Sequence, residues 1–324
     1  MDNIAIAIED LHKNYSGTQA VCGISLEILE GEFFGLLGPN GAGKTTTIAM
    51  LTGLTAPSGG RILVDGLSIS SNPVDVKSRM GFVPQEFAFY PTLNAVENLQ
   101  FFGRLYGLRG ARLKTRIREV LEIAELEDRA HQTVAAFSNG MMRRLNIAIG
   151  LIHEPRMLIL DEPTVGIDAH SRNSLYLTLD RLNRQGVTVL CTTNNMEEAQ
   201  RLCSRVAIMD HGRILTVDTP SALIRRFGEG LVRVEFKAVV GKAWKERMAR
   251  LDTVQGLDGR ERHWYLKTRE PEKVVRALMA LEETREVGIR SLNILEPNLE
   301  SVFIHLTGRR LRDPAEDKHV SFEG

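Results

Sequence analysis

Residues 38–45 read GPNGAGKT and follow directly on residues 33–37, FFGLL. The apolar run predicts a buried strand, and the stretch that begins at Thr45 predicts a helix. Glycines let the backbone wrap closely around phosphate groups, while the N–H groups at the start of a helix supply positive potential. Lys44 is placed to reach the β- and γ-phosphates, and the hydroxyl of Thr45 suits Mg²⁺. This strand, loop and helix therefore predict a binding site for a nucleoside triphosphate.

Composition and charge narrow the class of protein. The 324 residues include 41 basic and 41 acidic ones, so no overall basic field favours nucleic acid as a partner. The three cysteines lack the spacing of a zinc site, which fits a reducing compartment. No stretch approaches the roughly 18 apolar residues of a membrane span, and the first residues lack the pattern of a secretory signal. We therefore expect a soluble globular protein whose membrane role depends on a partner chain.

The pattern along the chain predicts two domains. Residues 1–227 alternate short apolar runs with helical periodicity, which indicates an α/β domain with a mainly parallel core sheet and an antiparallel β region. Within it, residues from about 87 to 150 predict a helical insertion. Residues 228–308 follow the order β-α-β-β-α-β, which predicts a small α+β sandwich of the ferredoxin-like kind. Residues 309–324 are expected to form a polar tail.

A second apolar run, residues 157–160, ends in two carboxylates. Asp161 is placed to hold Mg²⁺ through water, and Glu162 to polarise the water that attacks the γ-phosphate. Taken alone, an acidic pair at a strand end is as often the exposed start of a helix. After a phosphate-binding loop, the pair indicates phosphoryl chemistry.

Residues 137–141, FSNGM, precede another predicted helix. With the motifs above, in this order, they resemble the ATP-binding subunit of an ATP-binding cassette (ABC) transporter, over roughly residues 1–220. By that resemblance, residues 138–141 form the signature loop, which caps the γ-phosphate of ATP bound to the other subunit. Gln85 resembles the Q-loop glutamine that touches Mg²⁺ and senses the transmembrane partner. Asp168 lies in a segment that resembles the D-loop at the dimer seam.

The resemblance implies a complete set of site residues, which fall into four groups. Those expected at the nucleotide are Tyr15 (stacked on adenine), Val21, Gly38, Pro39, Asn40, Gly41, Ala42, Gly43, Lys44, Thr45 and Thr46. Those expected in catalysis are Glu162, Gln85 and Asn194, and those expected at Mg²⁺, partly through water, are Thr45, Gln85 and Asp161. The signature loop presented to the other subunit is Ser138, Asn139, Gly140 and Met141.

The resemblance also implies how the chain works. A single copy of each motif is present, so the chain should pair with a second cassette, most simply an identical one, around two Mg-ATP. That dimer would drive separately encoded transmembrane permease subunits from the cytoplasmic face of the cell membrane. Residues 86–93 are expected to receive the membrane partner, because exposed aromatics beside a moving loop are typical of an interface. Residues 295–309 resemble the end of drug- and polysaccharide-exporter cassettes, which favours export.

Two residues depart from the family pattern. Asn194 stands where the family has a histidine that contacts the γ-phosphate, and asparagine is shorter and cannot become cationic. Either hydrolysis is slow, or Asn194 serves as a shorter donor in a site carried by Glu162. Asn139 stands in place of a glycine: we expect it to tolerate a left-handed backbone, but its side chain could crowd the phosphate of the nucleotide on the other subunit.

Two other functions stay open at this point. A degenerate cassette that binds ATP as a regulatory switch is compatible with Asn194, although the intact Lys44, Asp161 and Glu162 argue against it. A soluble translation or DNA-repair cassette protein is the other. Those proteins resemble this chain less, because they carry two cassettes on one chain or long coiled-coil insertions.

Overall fold

The computed structural model describes residues 3–228, 230–282, 288–295 and 297–307. Contacts divide the chain into two compact units between Thr219 and Pro220. The sequence placed this boundary eight residues later, after residue 227. The helix Pro220–Phe227 belongs to the second unit because it packs against the helix Leu299–Thr307. The polar tail expected over 309–324 lies outside the described residues.

The first unit alternates strands and helices, as its sequence predicts. Its strands are β1 (Ile4–Tyr15), β2 (Thr18–Leu29), β3 (Phe33–Leu37), β4 (Gly59–Val64), β5 (Leu67–Ser68), β6 (Met80–Val83), β7 (Met157–Asp161), β8 (Thr188–Thr193), β9 (Arg205–Asp210) and β10 (Arg213–Asp218). Its helices are α1 (Lys44–Leu51), α2 (Pro73–Arg79), α3 (Ala95–Leu105), α4 (Gly110–Ile123), α5 (Asn139–Leu151), α6 (Ala169–Arg184) and α7 (Met196–Leu202).

A mainly parallel sheet forms the centre of this unit. Its strand order is β10-β9-β3-β8-β7-β6, and only the edge strand β10 runs antiparallel to its neighbour. Every residue of β3 and β7 is buried, so neither strand shows a polar face. Continuous burial of this kind is typical of parallel strands that are covered on both sides.

An antiparallel sheet and a helical region complete the first unit. The sheet has the order β2-β1-β4-β5, and its apolar face shares a core with β3 and α1 around Ile8, Phe34 and Met50. The predicted helical insertion contains α3, α4 and α5, which pack on one another. Helix α3 begins at a capping box, in which Asn94 and Glu97 satisfy each other's backbone N–H groups.

The second unit follows the predicted β-α-β-β-α-β order. Its elements are α8 (Pro220–Phe227), β11 (Gly230–Phe236), α9 (Lys242–Ala249), β12 (Gly256–Arg260), β13 (His263–Thr268), α10 (Pro271–Glu282), β14 (Ile289–Leu295) and α11 (Leu299–Thr307). The sheet order is β12-β13-β11-β14, and every pairing is antiparallel. Its core includes Phe236, Trp244 and Trp264. Within the described ranges, no helix is both long and apolar enough to cross a bilayer.

Candidate nucleotide site

Three loops meet at one edge of the parallel sheet. Leu37 pairs with Thr193, and Asp161 pairs with Thr192, so the carboxyl ends of β3, β7 and β8 lie side by side. The loop 38–45, Glu162 and Asn194 each follow directly on one of these strands. Ligands of parallel α/β sheets bind in the crevice beyond such strand ends.

The backbone of the loop 38–45 leaves no room for side chains at two positions. A Cβ on Gly38 would lie 2.2 Å from the carbonyl oxygen of Met209, which packs directly against the loop. Gly43 has φ of 105° and caps the N-terminus of α1, a conformation that L side chains rarely adopt. The loop can therefore place its N–H groups close to an anion.

Lys44 is held inside the loop that it follows. Its side chain is 4% exposed, and Nζ donates to the carbonyl oxygens of Gly38 at 2.8 Å and Pro39 at 3.2 Å. Nζ also lies 3.2 Å from Oε1 of Glu162. The ammonium group is thus fixed beneath the loop, and an anionic phosphate placed there would compete with Glu162 for it.

The carboxylate of Asp161 contacts hydroxyl groups from two neighbouring elements. Its Oδ1 accepts from Oγ1 of Thr192 at 2.5 Å and faces Oγ1 of Thr45 at 3.4 Å. A carboxylate beside a hydroxyl suits Mg²⁺, which is usually bound by one or two carboxylates together with substrate phosphates. The described residues hold no cluster of three or more His, Cys, Asp or Glu that could bind a metal on its own. This donor set fits Mg²⁺ that arrives with a nucleotide.

Glu162 sits on a strained backbone. Its φ is 46°, a left-handed conformation that is uncommon for a residue with a side chain. Its N–H lies 3.1 Å from both the carbonyl oxygen and the hydroxyl of Thr192, and these contacts hold the turn in place. The side chain is 8% exposed and points to Lys44. The turn therefore directs this carboxylate back over the phosphate loop.

An open cavity of about 440 Å³ lies above the loop. It is lined by Ala20, Asn40, Gly41, Gly43, Lys44, Thr45, Thr46, Gln85 and Glu162. Val21 was expected at the nucleotide, but its side chain is fully buried in the core. Its neighbour Ala20 lines the cavity instead. Tyr15 lies outside the lining, 46% exposed, with Nζ of Lys13 4.9 Å from its ring centroid.

Asn194 follows β8 directly and is half-buried. The two residues before it are held firmly: Thr192 donates to Asp161, and Thr193 donates to Oε2 of Glu198 at 2.6 Å. Oε2 of Glu198 also accepts from Thr164 at 3.1 Å. Burial raises the pKa of Glu198, and the bonds from the two threonines oppose that shift. Nothing in the sequence separates Glu198 from its exposed neighbour Glu197.

The signature residues lie at the N-terminus of α5, outside this cavity. Ser138 caps the helix by accepting from the N–H of Met141 at 3.2 Å. Asn139 is the first helical residue, so the left-handed backbone expected there is not needed. Its side-chain amide donates to the carbonyl oxygen of Gly166 at 3.2 Å.

Asp168 caps the next helix, α6, close to the signature residues. It accepts from the N–H and the hydroxyl of Ser171 at 2.9 and 2.6 Å, and these bonds lower its pKa. A Cβ on Gly140 would lie 2.3 Å from the hydroxyl oxygen of Ser171. The signature and D-loop segments of one chain are therefore packed together.

Arg143 is a buried residue that no motif in the sequence singles out. It is 2% exposed, and its guanidinium donates to the carbonyl oxygens of Pro84 at 2.9 Å and Gln85 at 2.8 Å. Burial lowers its pKa, and the charge of Asp161 opposes that shift. An arginine within an amphipathic helix is ordinarily assigned to the solvent face, so the sequence carried no signal for this contact.

An aromatic surface follows Gln85, within the segment 86–93. Phe87 and Tyr90 are 37% and 47% exposed. Phe87 stacks on Phe89 with ring centroids 5.4 Å apart, and Tyr90 meets Phe101 edge-on at 4.9 Å. These rings support one another while leaving apolar area uncovered, which is a common property of protein interfaces.

Known proteins match this chain, two relatives among them along nearly its whole length. Residues 21–165 match the family described as ABC transporter. The linearmycin resistance ATP-binding protein LnrL of Bacillus subtilis is 42% identical, over 94% of this chain and 99% of that protein. Nod factor export ATP-binding protein I of Ralstonia nicotianae is 37% identical, over 95% of each. The dimeric cassette MJ0796 bound to ADP and Pi matches with a TM-score of 0.61 at 27% identity, over 66% of this chain and 98% of that one.

Proposed function

The chain belongs to the family of ABC transporter ATP-binding subunits, and on that basis we propose that it hydrolyses Mg-ATP to drive an exporter. Two relatives over nearly the full length are described as a resistance and an export ATP-binding protein. The observation that carries the hydrolytic part is the convergence of Lys44, Asp161 and Glu162 at one sheet edge. Those three groups supply phosphate binding, metal binding and a base.

The loop and its lysine would bind the nucleotide. N–H groups at the start of α1 would face the phosphates, and Lys44 would contact the β- and γ-phosphates. Thr45 and Asp161 would hold Mg²⁺, with Gln85 approaching from the cavity wall. When bound, Mg²⁺ neutralises charge that develops on the phosphate oxygens.

Glu162 would orient the water that attacks the γ-phosphate and accept its proton. Phosphate oxygens would share the ammonium of Lys44, which now pairs with Glu162 at 3.2 Å. The carboxylate would then be available as a proton acceptor. Asn194, at the end of the neighbouring strand, would donate a hydrogen bond toward the γ-phosphate in place of the family's histidine.

ABC ATPases work as dimers together with membrane permease subunits, and the matched cassette MJ0796 is described as dimeric. We infer that this chain pairs with a second copy of itself, with residues 138–141 of each copy covering the nucleotide of the other. Separately encoded permeases would contact the aromatic surface around Phe87 and Tyr90. The dimer would then lie at the cytoplasmic face of the cell membrane.

The regulatory-switch alternative rests on Asn194 alone. A site that only binds ATP has no need of a buried, strained Glu162 aimed at the phosphate loop. The observed geometry therefore favours turnover over a switch without turnover.

Steady-state Mg-ATP hydrolysis by the purified chain tests the proposal, with Asn194→His measured alongside. We expect measurable wild-type turnover that Asn194→His changes by less than about 3-fold, because asparagine retains a donor at this position. Wild-type turnover at background that Asn194→His restores by roughly 10²-fold would instead establish the switch.

A further inference from the structure

Arg143 connects helix α5 to the segment that follows β6 through one side chain. It lies on α5, two residues beyond the last signature residue, and reaches the backbone of the segment 84–88, here named the Q-loop segment. Its two terminal nitrogens donate to consecutive carbonyl oxygens, those of Pro84 and Gln85, at 2.9 and 2.8 Å. A single planar group thus fixes both position and orientation of this backbone.

We propose that Arg143 is a positioning residue that clamps the Q-loop segment to α5, so that Gln85 and the signature loop move as one body. The inference rests on the proposed function for its consequence in hydrolysis. The clamp itself is a property of the fold that can be measured without turnover.

A second buried polar residue on α5 supports the same clamp. Asn146 is 1% exposed; its amide donates to the carbonyl oxygen of Pro84 at 3.3 Å and accepts from the N–H of Ala88 at 3.4 Å. Arg143 and Asn146 are three positions apart and therefore share one face of the helix. Burying a charge and an amide is costly unless each is hydrogen-bonded. Here the two terminal nitrogens of Arg143 and the amide of Asn146 bond to one short segment, while Nε of Arg143 has no partner among the described residues.

The clamp also reaches the surface. The guanidinium carbon of Arg143 lies 4.9 Å from the ring centroid of Phe87, which is 37% exposed. A partner pressing on Phe87 would therefore act on the same side chain that holds the carbonyl oxygen of Gln85. In this arrangement Arg143 relays docking at the aromatic surface to Gln85 on one side and to the signature loop on the other.

Hydrogen exchange of the full-length chain tests the clamp directly. Arg143→Met removes two charge-assisted bonds to this segment, so the amides of Phe87 and Ala88 should exchange at least about 10-fold faster. Arg144→Met is the matched control, because Arg144 bonds to Glu125 instead of the Q-loop segment. It should leave those amides unchanged. Arg143→Lys, which keeps the charge but loses the planar fork, should give a smaller acceleration of the same amides and serves as the second variant if Arg143→Met folds poorly.

Dependence on Mg²⁺ separates positioning from general stability. Arg143→Met should raise the half-saturating Mg²⁺ concentration for hydrolysis roughly 10-fold, because Gln85 is no longer held. Binding of a fluorescent ATP analogue in EDTA, which depends on the phosphate loop, should not change. Arg143→Lys keeps the charge without the planar fork and should recover only part of the Mg²⁺ response.

Equal exchange and equal Mg²⁺ response in Arg143→Met and Arg144→Met would overturn the clamp. A wild-type chain without Glu162-dependent turnover would overturn the proposed function instead, and the exchange experiment would still decide whether the clamp exists.

Discussion

The two units bury polar groups in different ways. The first unit buries charged groups around the carboxyl ends of its strands, where four side chains are less than 9% exposed: Lys44, Asp161, Glu162 and Glu198. Lys44 pairs with Glu162, and the other two carboxylates contact threonine hydroxyls. The second unit has a core of aliphatic and aromatic side chains. The hydroxyls of its buried Thr268 and Ser301 bond to nearby backbone groups of Glu270 and Asn298.

The buried groups of the two units therefore have different roles, catalysis in the first unit and stability in the second. Burying charged groups costs free energy, so a chain that concentrates them at one edge does so where chemistry requires them. A core of close-packed apolar groups needs no such function and contributes stability. The first unit should therefore lose activity before stability when its buried polar groups change, and the second unit should do the reverse.

The largest effect should come from Glu162→Gln. Glutamine preserves size but cannot accept the proton of the attacking water, so kcat should fall about 10³-fold. Exposed Glu197 offers a matched change, and Glu197→Gln should keep kcat within about 2-fold. Steady-state ATP hydrolysis compares the two variants. Similar turnover in both would break the contrast between the units.

Phe236→Ala should be the largest change in the second unit. Phe236 is fully buried and meets Trp244 edge-on at 5.6 Å, so its loss should lower the free energy of unfolding by about 3–5 kcal/mol. Both tryptophans of the chain, Trp244 and Trp264, lie in this unit, so their fluorescence during urea unfolding reports on it.

The control for that experiment is Phe101→Ala, at a phenylalanine that is 39% exposed in the first unit. Phe101→Ala should leave the urea concentration at the midpoint of the tryptophan fluorescence change unaltered. A midpoint that Phe236→Ala does not move would mean that this core does not hold the second unit together.

A smaller effect should follow from the titration of Glu198. Burial raises its folded pKa above the ordinary value of 4.5, so the folded state takes up a proton more readily than the unfolded one. The stability from this group is complete below about pH 4.5 and is lost as the pH rises through the folded pKa.

Glu198→Gln removes that titration. Relative to wild type, the variant should gain unfolding free energy as the pH rises from 4.5 to 7, because only the wild type must ionise a buried carboxyl there. Circular dichroism during urea unfolding measures it, and Glu197→Gln controls for removal of a neighbouring acidic residue. A gain of equal size in both variants would assign the effect to net charge.

The smallest effect should come from an exposed polar contact. Asn139→Gly removes one hydrogen bond to the carbonyl oxygen of Gly166 and should weaken the free energy of dimerisation by about 1 kcal/mol or less. ATP-driven dimerisation of Glu162→Gln, with and without Asn139→Gly, measures its weight at the signature loop. If Asn139→Gly weakened dimerisation by as much free energy as Phe236→Ala removes from folding, this exposed hydrogen bond would matter as much as a buried aromatic side chain.

Adjacent positions show the limit of predicting side-chain direction from sequence. Val21 was expected at the nucleotide, yet Ala20 lines the cavity and Val21 is in the core. β1 and β2 pair with several irregularities in register, one of them between Lys13 and Asn14, opposite this part of β2. Each irregularity breaks the simple alternation of faces, so the outward residue cannot be read by counting.

The amino-acid sequence by itself determined the family, the order of elements in both units, and the groups Lys44, Asp161 and Glu162. These features are local, since a glycine-rich loop or an acidic pair at a strand end carries its chemistry in consecutive residues. Only the tertiary structure decided that Arg143 holds the carbonyl oxygens of Pro84 and Gln85, and that Glu198 joins Thr164 to Thr193. Those contacts join residues from separate elements, and burial of a charged side chain depends on what packs around it.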